Sequence, residues 1–162
     1  MSRLKTVRYI FGYDEYGKPI HVDNINTVKG IYAIGLDDPV SEEKTLVHAK
    51  VGLGGLTQLN EGGLLPRIRS YYTCFPDGVW EYAFLISTRK QPPKGFLAEI
   101  EHEVHQELDK RNFRYKTKYL TWSKRPPEWF VCSIEDLRRI FLIVKQRHPK
   151  HLQVVYPSEF EQ

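Results

Sequence analysis

A carboxylate stands where a core residue belongs. Between Phe96 and Lys110, the residues Leu97, Ile100, Val104 and Leu108 recur at about 100° per residue and form one apolar helical stripe. Glu99, Glu103 and Glu107 fall on the other side, where solvated charges belong. Glu101 projects within roughly 40–60° of the stripe centre, beside Leu97 and Leu108, with His105 one turn further on. A carboxylate turned to a core is costly unless it is paired or holds a cation. Glu101 therefore reads either as a stripe-edge residue reaching solvent or an arginine, or as a metal-binding or catalytic carboxylate. Upstream, Arg67 lies on the Leu64 and Tyr71 side of a short helix, whereas Arg69 points away. An inward Arg and an inward Glu make either a structural ion pair or a phosphate site between a guanidinium fork and a hard cation. The second is the kit of phosphoryl-transfer chemistry. Spacing alone leaves both open.

A second constellation follows the Glu101 helix. Lys110, Arg111, Arg114, Lys116, Lys118, Lys124 and Arg125 occur with no acid among them, interleaved with Phe113, Tyr115, Tyr119 and Trp122. Cations neutralise phosphates and release counterions, and aromatic rings stack on bases. The segment reads as a phosphate-tracking arm or as a solvated loop with its rings packed inward. Other reactive residues are less telling. His48 shares a strand face with Lys50, His102 faces solvent, and His148 and His151 lie past the last helix, where a cation complements its dipole. Cys74 and Cys132 read as small buried residues.

These side chains need a scaffold. The first 28 residues read as a hairpin: Val7–Phe11 is β-prone, Tyr13–Gly17 carries turn chemistry, and Pro19–Val22 returns as an edge strand. Gly30–Leu36 and Thr45–Val51 read as two strands joined by an acidic loop. The glycine-rich run from Gly52 to Gly63 lacks the spacing of a dinucleotide fingerprint or a P-loop and reads as a flexible connection. A short helix starts near Pro66, a strand runs from Trp80 to Ser87, and the Glu101 helix spans Phe96–Lys110. Trp129–Cys132 is a short strand, and Ser133 with Asp136 opens a last helix to about Arg147. The result is a mixed α/β (α+β) domain with a small, mainly antiparallel sheet.

Composition bounds the function. The 162 residues are 41% hydrophobic and 27% charged, enough for a core without staples. No apolar run approaches the ~20 residues of a membrane span, and Met1–Lys5 leads into no apolar signal core. Two cysteines are too few for a disulfide framework or a cysteine zinc site. The expectation is an intracellular protein of a reducing compartment with no membrane partner. A net charge of +4 fits a polyanion without demanding one.

The order of the motifs resembles the GIY-YIG nuclease superfamily. Gly30-Ile31-Tyr32 stands on the first strand, Lys50-Val51-Gly52 on the second, Arg67 on the next helix, and Glu101 with His105 on the following one. Within that superfamily the chain is most similar to the phage- and large-virus-type branch, whose second motif often reads Lys-Ile-Gly and which ends in Glu-Trp-Phe, here Glu128-Trp129-Phe130. The resemblance covers roughly residues 29–145. It implies a small central three-stranded antiparallel sheet flanked by helices, with residues 1–28 as a β-hairpin extension, 29–148 as the nuclease-like domain and 149–162 as a tail. It also implies an endonuclease that uses Mg²⁺ or Mn²⁺ to hydrolyse phosphodiesters in DNA, with RNA left open, as a monomer or a DNA-induced homodimer.

Carried over by position, Tyr32 would deprotonate or orient the attacking water, directly or through a metal-bound hydroxide. Lys50 or Arg67 would favour its phenolate. Arg67 would neutralise the scissile phosphate and Glu101 would anchor the metal, one carboxylate with waters being an ordinary Mg²⁺ site. Two positions depart from the pattern: Lys50 replaces the tyrosine of better-known branches, and Tyr71 stands where many members have histidine. A late asparagine used by some members has no clear counterpart, Asn112 being a poor candidate. Those departures keep a catalytically inactive nucleic-acid-binding module as the alternative, with a virion or host-interaction protein on the same scaffold as a third class. Glu128-Trp129-Phe130 is assigned mainly to packing.

Overall fold

Alternation in Gly30–Gly35, strand β3, sends Ile31 and Ala33 to one face and Tyr32 and Ile34 to the other, and all six residues are buried. A strand apolar on both faces belongs in the middle of a covered sheet. In the computed structural model, which describes residues 9–37, 46–54, 63–72, 75, 78–115 and 128–157, β3 is the third of five antiparallel strands. Its neighbours are β4 (Val47–Gly54) and β5 (Trp80–Ser87). Outside them lie the short strands β6 (Trp129–Cys132) beside β4 and β7 (Leu152–Val155) beside β5. A separate hairpin of β1 (Tyr9–Tyr13) and β2 (Pro19–Val22) precedes the sheet. The helices are α1 (Leu64–Tyr72), α2 (Phe96–Lys110) and α3 (Ile134–Arg147).

The α+β class expected from the sequence is therefore the observed one, with a correction to the sheet. The three strands β4-β3-β5 are its centre rather than its whole. The fifth strand comes from residues read as a tail: Leu152, Val154 and Val155 are buried along β5. Four residues are too short for period-two alternation to stand out, so this strand is legible only from its partner. The chain end is tied back further, because the backbones of Tyr13 and Tyr156 exchange hydrogen bonds of 3.0 and 2.8 Å.

The two sheet faces carry two cores. Helices α2 and α3 cover Ile31, Ala33, Ala49 and Val51 with Ile100, Val104, Leu137 and Phe141. Helix α1 and the hairpin cover Tyr32, Ile34 and Phe84 with Leu64, Ile68, Phe11 and Ile20. The start of α3 follows the predicted cap, Ser133 Oγ accepting the Asp136 amide at 3.0 Å. One helical face departs from expectation. Glu107, assigned to solvent, is buried, and it accepts Lys110, Arg111 and Arg147 at 3.0, 2.9 and 2.7 Å. Hydrogen bonds from Arg147, Arg111 and Lys110 hold its carboxyl down to about 2. The arginine that draws it inward comes from α3, forty positions away, so helical spacing could not foresee it. No helix among the described residues is long and apolar enough to cross a membrane.

Candidate active site

Strand β4 runs three residues further than the sequence reading, into the glycine-rich stretch taken as a connection. Gly52 explains the extension. It stands opposite Tyr32 in the β3–β4 register, and a Cβ there would overlap the Tyr32 hydroxyl and ring. Only glycine lets the phenol lie across the neighbouring strand. Residues 55–62 lie outside the described residues.

Tyr32 is 1% exposed, and its Oη lies 2.7 Å from the Oη of Tyr71 in the last turn of α1. Arg67, one turn earlier on the same helix face, places its guanidinium 5.6 Å from the Tyr71 ring centroid. It acts on both hydroxyls as a hydrogen-bond donor and as a charge. Lys50 on β4 brings Nζ to 4.9 Å from the same ring centroid and to 4.0 Å from Glu128 Oε2. Glu101, on α2, has Glu128 and Lys50 as its charged neighbours. Tyr32, Lys50, Arg67 and Tyr71, drawn from β3, β4 and α1, are thus gathered around Lys50, midway along β4, and Glu101, on α2, lies within electrostatic range of it. Arg67, read as an inward charge, is exposed, and it forms no ion pair with Glu101 among the described residues, so the structural-pair reading of the two falls.

The electrostatics correct one expectation. Burial drives the Tyr32 phenol pKa upward, and the Tyr71 hydroxyl adds to this; Arg67 pulls it down without overcoming either. The upward shift disfavours a standing phenolate and leaves Tyr32 a hydroxyl that can orient a water, with the Tyr71 hydroxyl as its hydrogen-bond partner. Glu101 is pushed up to about 7, first by burial and then by Glu128, with Lys50 opposing. Its carboxylate makes no hydrogen bond among the described residues. A partly desolvated hard-oxygen donor with a second carboxylate near it fits a divalent cation of the Mg²⁺ type, which takes one or two carboxylates and fills the rest of its shell with water. Among the described residues no group of three or more His, Cys, Asp and Glu gathers, so a closed all-protein metal cage is absent there.

His105 is not turned to this cluster. Burial lowers its pKa, and as a neutral ring it donates from Nε2 to the Val51 carbonyl at 3.0 Å while packing on Phe130, centroids 5.3 Å apart. It pins the backbone between Lys50 and Gly52. The basic constellation is likewise engaged. Lys110 and Arg111 hold Glu107, and Arg114 makes a two-pronged bond to Asp109 at 2.6 and 2.8 Å while lying over Phe130. Lys116, Lys118, Lys124 and Arg125 lie outside the described residues, as does Cys74. Cys132 is buried, its thiol pushed up to about 12 by burial first and Asp136 second.

Two site residues escaped the sequence reading. Glu128 was assigned to packing, yet only Phe130 of its triplet is fully buried. The usable signal was an acid abutting a strand that pairs with Lys50, through Trp129. Asp37, in the acidic loop, orients His48 through Nδ1–Oδ2 contact at 3.0 Å, on the face that also carries Lys50. Compared with known proteins, the chain matches no family model, no curated protein and no solved structure.

Proposed function

We propose that this protein is a divalent-metal-dependent endonuclease of GIY-YIG type that hydrolyses phosphodiester bonds in DNA. One observation carries the reading. A phenol pair and two cations converge around Lys50 of β4, and the partly desolvated carboxylate of Glu101, 69 positions from Tyr32 in sequence, lies within electrostatic range of it. Structural ion pairing would not need a buried and a half-buried hydroxyl 2.7 Å apart beside a guanidinium.

In this reading Arg67 and Lys50 bind non-bridging oxygens of the scissile phosphate and neutralise the charge that builds there. Glu101, with Glu128 near it, holds the cation, which when bound supplies Lewis-acid polarisation and a more acidic water. The Tyr32 hydroxyl accepts a hydrogen bond from the attacking water and so orients it, while the Tyr71 hydroxyl, at hydrogen-bond distance, fixes the direction of the phenol. Gly52 keeps that phenol in place, and the His105 bond to Val51 fixes the strand that carries Lys50.

Nicking of supercoiled plasmid with Mg²⁺ or Mn²⁺ tests this, with Tyr32→Phe, Arg67→Ala and Glu101→Ala as controls. Cleavage by the wild type that each variant loses is the expected outcome; no cleavage under any condition rejects the reading. The upward shift of Tyr32 favours a second one, an inactive nucleic-acid-binding module. Salt-dependent DNA binding without cleavage would select it.

A further inference from the structure

Adjoining the phenol cluster, and sharing Lys50 and Tyr71 with it, is a cavity of about 240 Å³. Its remaining walls are apolar, formed chiefly by Ile34, Leu36, Phe75, Val79 and Trp129. The volume equals roughly eight liquid waters at about 30 Å³ each, the scale of one planar heterocycle. Two of the walls, Phe75 and Trp129, are half-buried aromatic residues, able to stack a flat π system. At the mouth Leu36 stays 48% exposed, an apolar side chain left in water. Lys50 is the cation common to cavity and cluster, and Arg67 packs on the same Tyr71 ring. A ligand that suits this surface carries an anion at the cations and a flat uncharged group beside it. That is the make-up of a nucleotide.

We propose that this cavity receives the unstacked base of a nucleotide whose phosphate lies against Lys50 and Arg67. The inference rests on the endonuclease reading and narrows its substrate. A base can enter only after leaving the duplex stack, so the preferred DNA is single-stranded, or carries an unpaired nucleotide, next to the bond that is cut. Stacking on aromatic walls tolerates any base, so the cavity selects for exposure of a base rather than for its identity.

Binding to two oligomers of equal charge tests this. Fluorescence anisotropy of the full chain, at fixed salt and with Ca²⁺ in place of Mg²⁺, compares an oligothymidylate with an abasic deoxyribose-phosphate oligomer of the same length. The oligothymidylate is expected to bind about tenfold more tightly. Phe75→Ala and Leu36→Ala are each expected to bring its affinity close to the abasic value while leaving abasic binding unchanged. Leu36 lies at the surface, so its truncation spares the core even where that of Phe75 does not. Equal wild-type affinity for both oligomers, in a chain that nicks plasmid, overturns the base site and leaves the nuclease reading standing. A base preference that survives both truncations overturns its placement in this cavity. A preference lost on truncation in a chain that never nicks supports the base site and rejects catalysis. Absence of binding and of nicking rejects both.

Discussion

Burial raises the pKa of both Glu101 and Tyr32, and each makes a separate prediction. For Glu101 the folded-state pKa is raised to about 7. Its contribution to stability is therefore fully present below the unfolded value near 4.5 and is lost as pH rises through 7. Without metal at pH 8, Glu101→Gln is expected to stabilise the fold by about 2 kcal/mol and to flatten that part of the pH profile. Added Mg²⁺ should raise the melting temperature of the wild type and leave that of the variant unchanged. Thermal unfolding across pH, with and without Mg²⁺, reads both effects independently of activity. For Tyr32, removal of one hydroxyl takes away the water-orienting group and leaves the ring. Tyr32→Phe is expected to keep the fold and to lower the single-turnover cleavage rate by about 10²-fold or more. Gly52→Ala acts on the same hydroxyl from the facing strand: the added methyl has no room, so we expect a loss of about 2 kcal/mol in chemical denaturation.

At the scale of elements, α2 is held to α3 by an acid rather than by apolar contact alone. Glu107 accepts hydrogen bonds from both helices, and His148, the residue capping α3, contacts Glu103 at 2.8 Å. Because the Glu107 carboxyl is depressed to about 2, its stabilisation is present above the unfolded value near 4.5 and is lost as pH falls toward 2. Glu107→Gln should cost about 2 kcal/mol at pH 7 and remove that acid-side loss, as read by denaturation at pH 7 and pH 3. The α2 apolar stripe was legible from spacing because period 3.6 is a local property. The inward turn of Glu107 was not, because it depends on Arg147. The cations that follow α2 divide in the same way. Lys110, Arg111 and Arg114 are committed to acids of α2 itself, which leaves Lys116, Lys118, Lys124 and Arg125 to carry the phosphate-tracking proposal. Reversing two of these charges, Lys116→Glu with Lys118→Glu, should weaken DNA binding and lower the salt slope by about 1 per lysine. An unchanged slope would remove that segment from the DNA path.

For the whole molecule, the arrangement of strands settles which ends matter. Strand β7 closes the β5 edge of the sheet, burying Leu152, Val154 and Val155, while Tyr156 ties the N-terminal hairpin to the same edge. Truncation after Pro149 should expose that edge and forfeit about 5 kcal/mol of apolar burial, enough to abolish a cooperative melt followed by circular dichroism. The opposite edge is where β6 stops short of the end of β4. Glu128 sits at that stop, its carbonyl 2.9 Å from the Val51 amide. There Glu101, on the helix covering one face, comes within electrostatic range of Lys50 on the other.

The sequence by itself determined the elements and the identity of most of the reactive residues. Helical and strand periods, the Ser133 cap and the anomalous place of Glu101 are local patterns, and local patterns survive in one dimension. Tertiary structure alone decided what those residues do to one another. It set the phenol of Tyr32 against Tyr71 and raised its pKa, turned His105 to a backbone carbonyl, drew Glu128 from packing to Lys50, and hid Glu107 beneath Arg147. Each of these outcomes depends on burial or on a charge brought from a distant part of the chain, and desolvation and Coulomb energy depend on distances in space that spacing along a sequence does not encode.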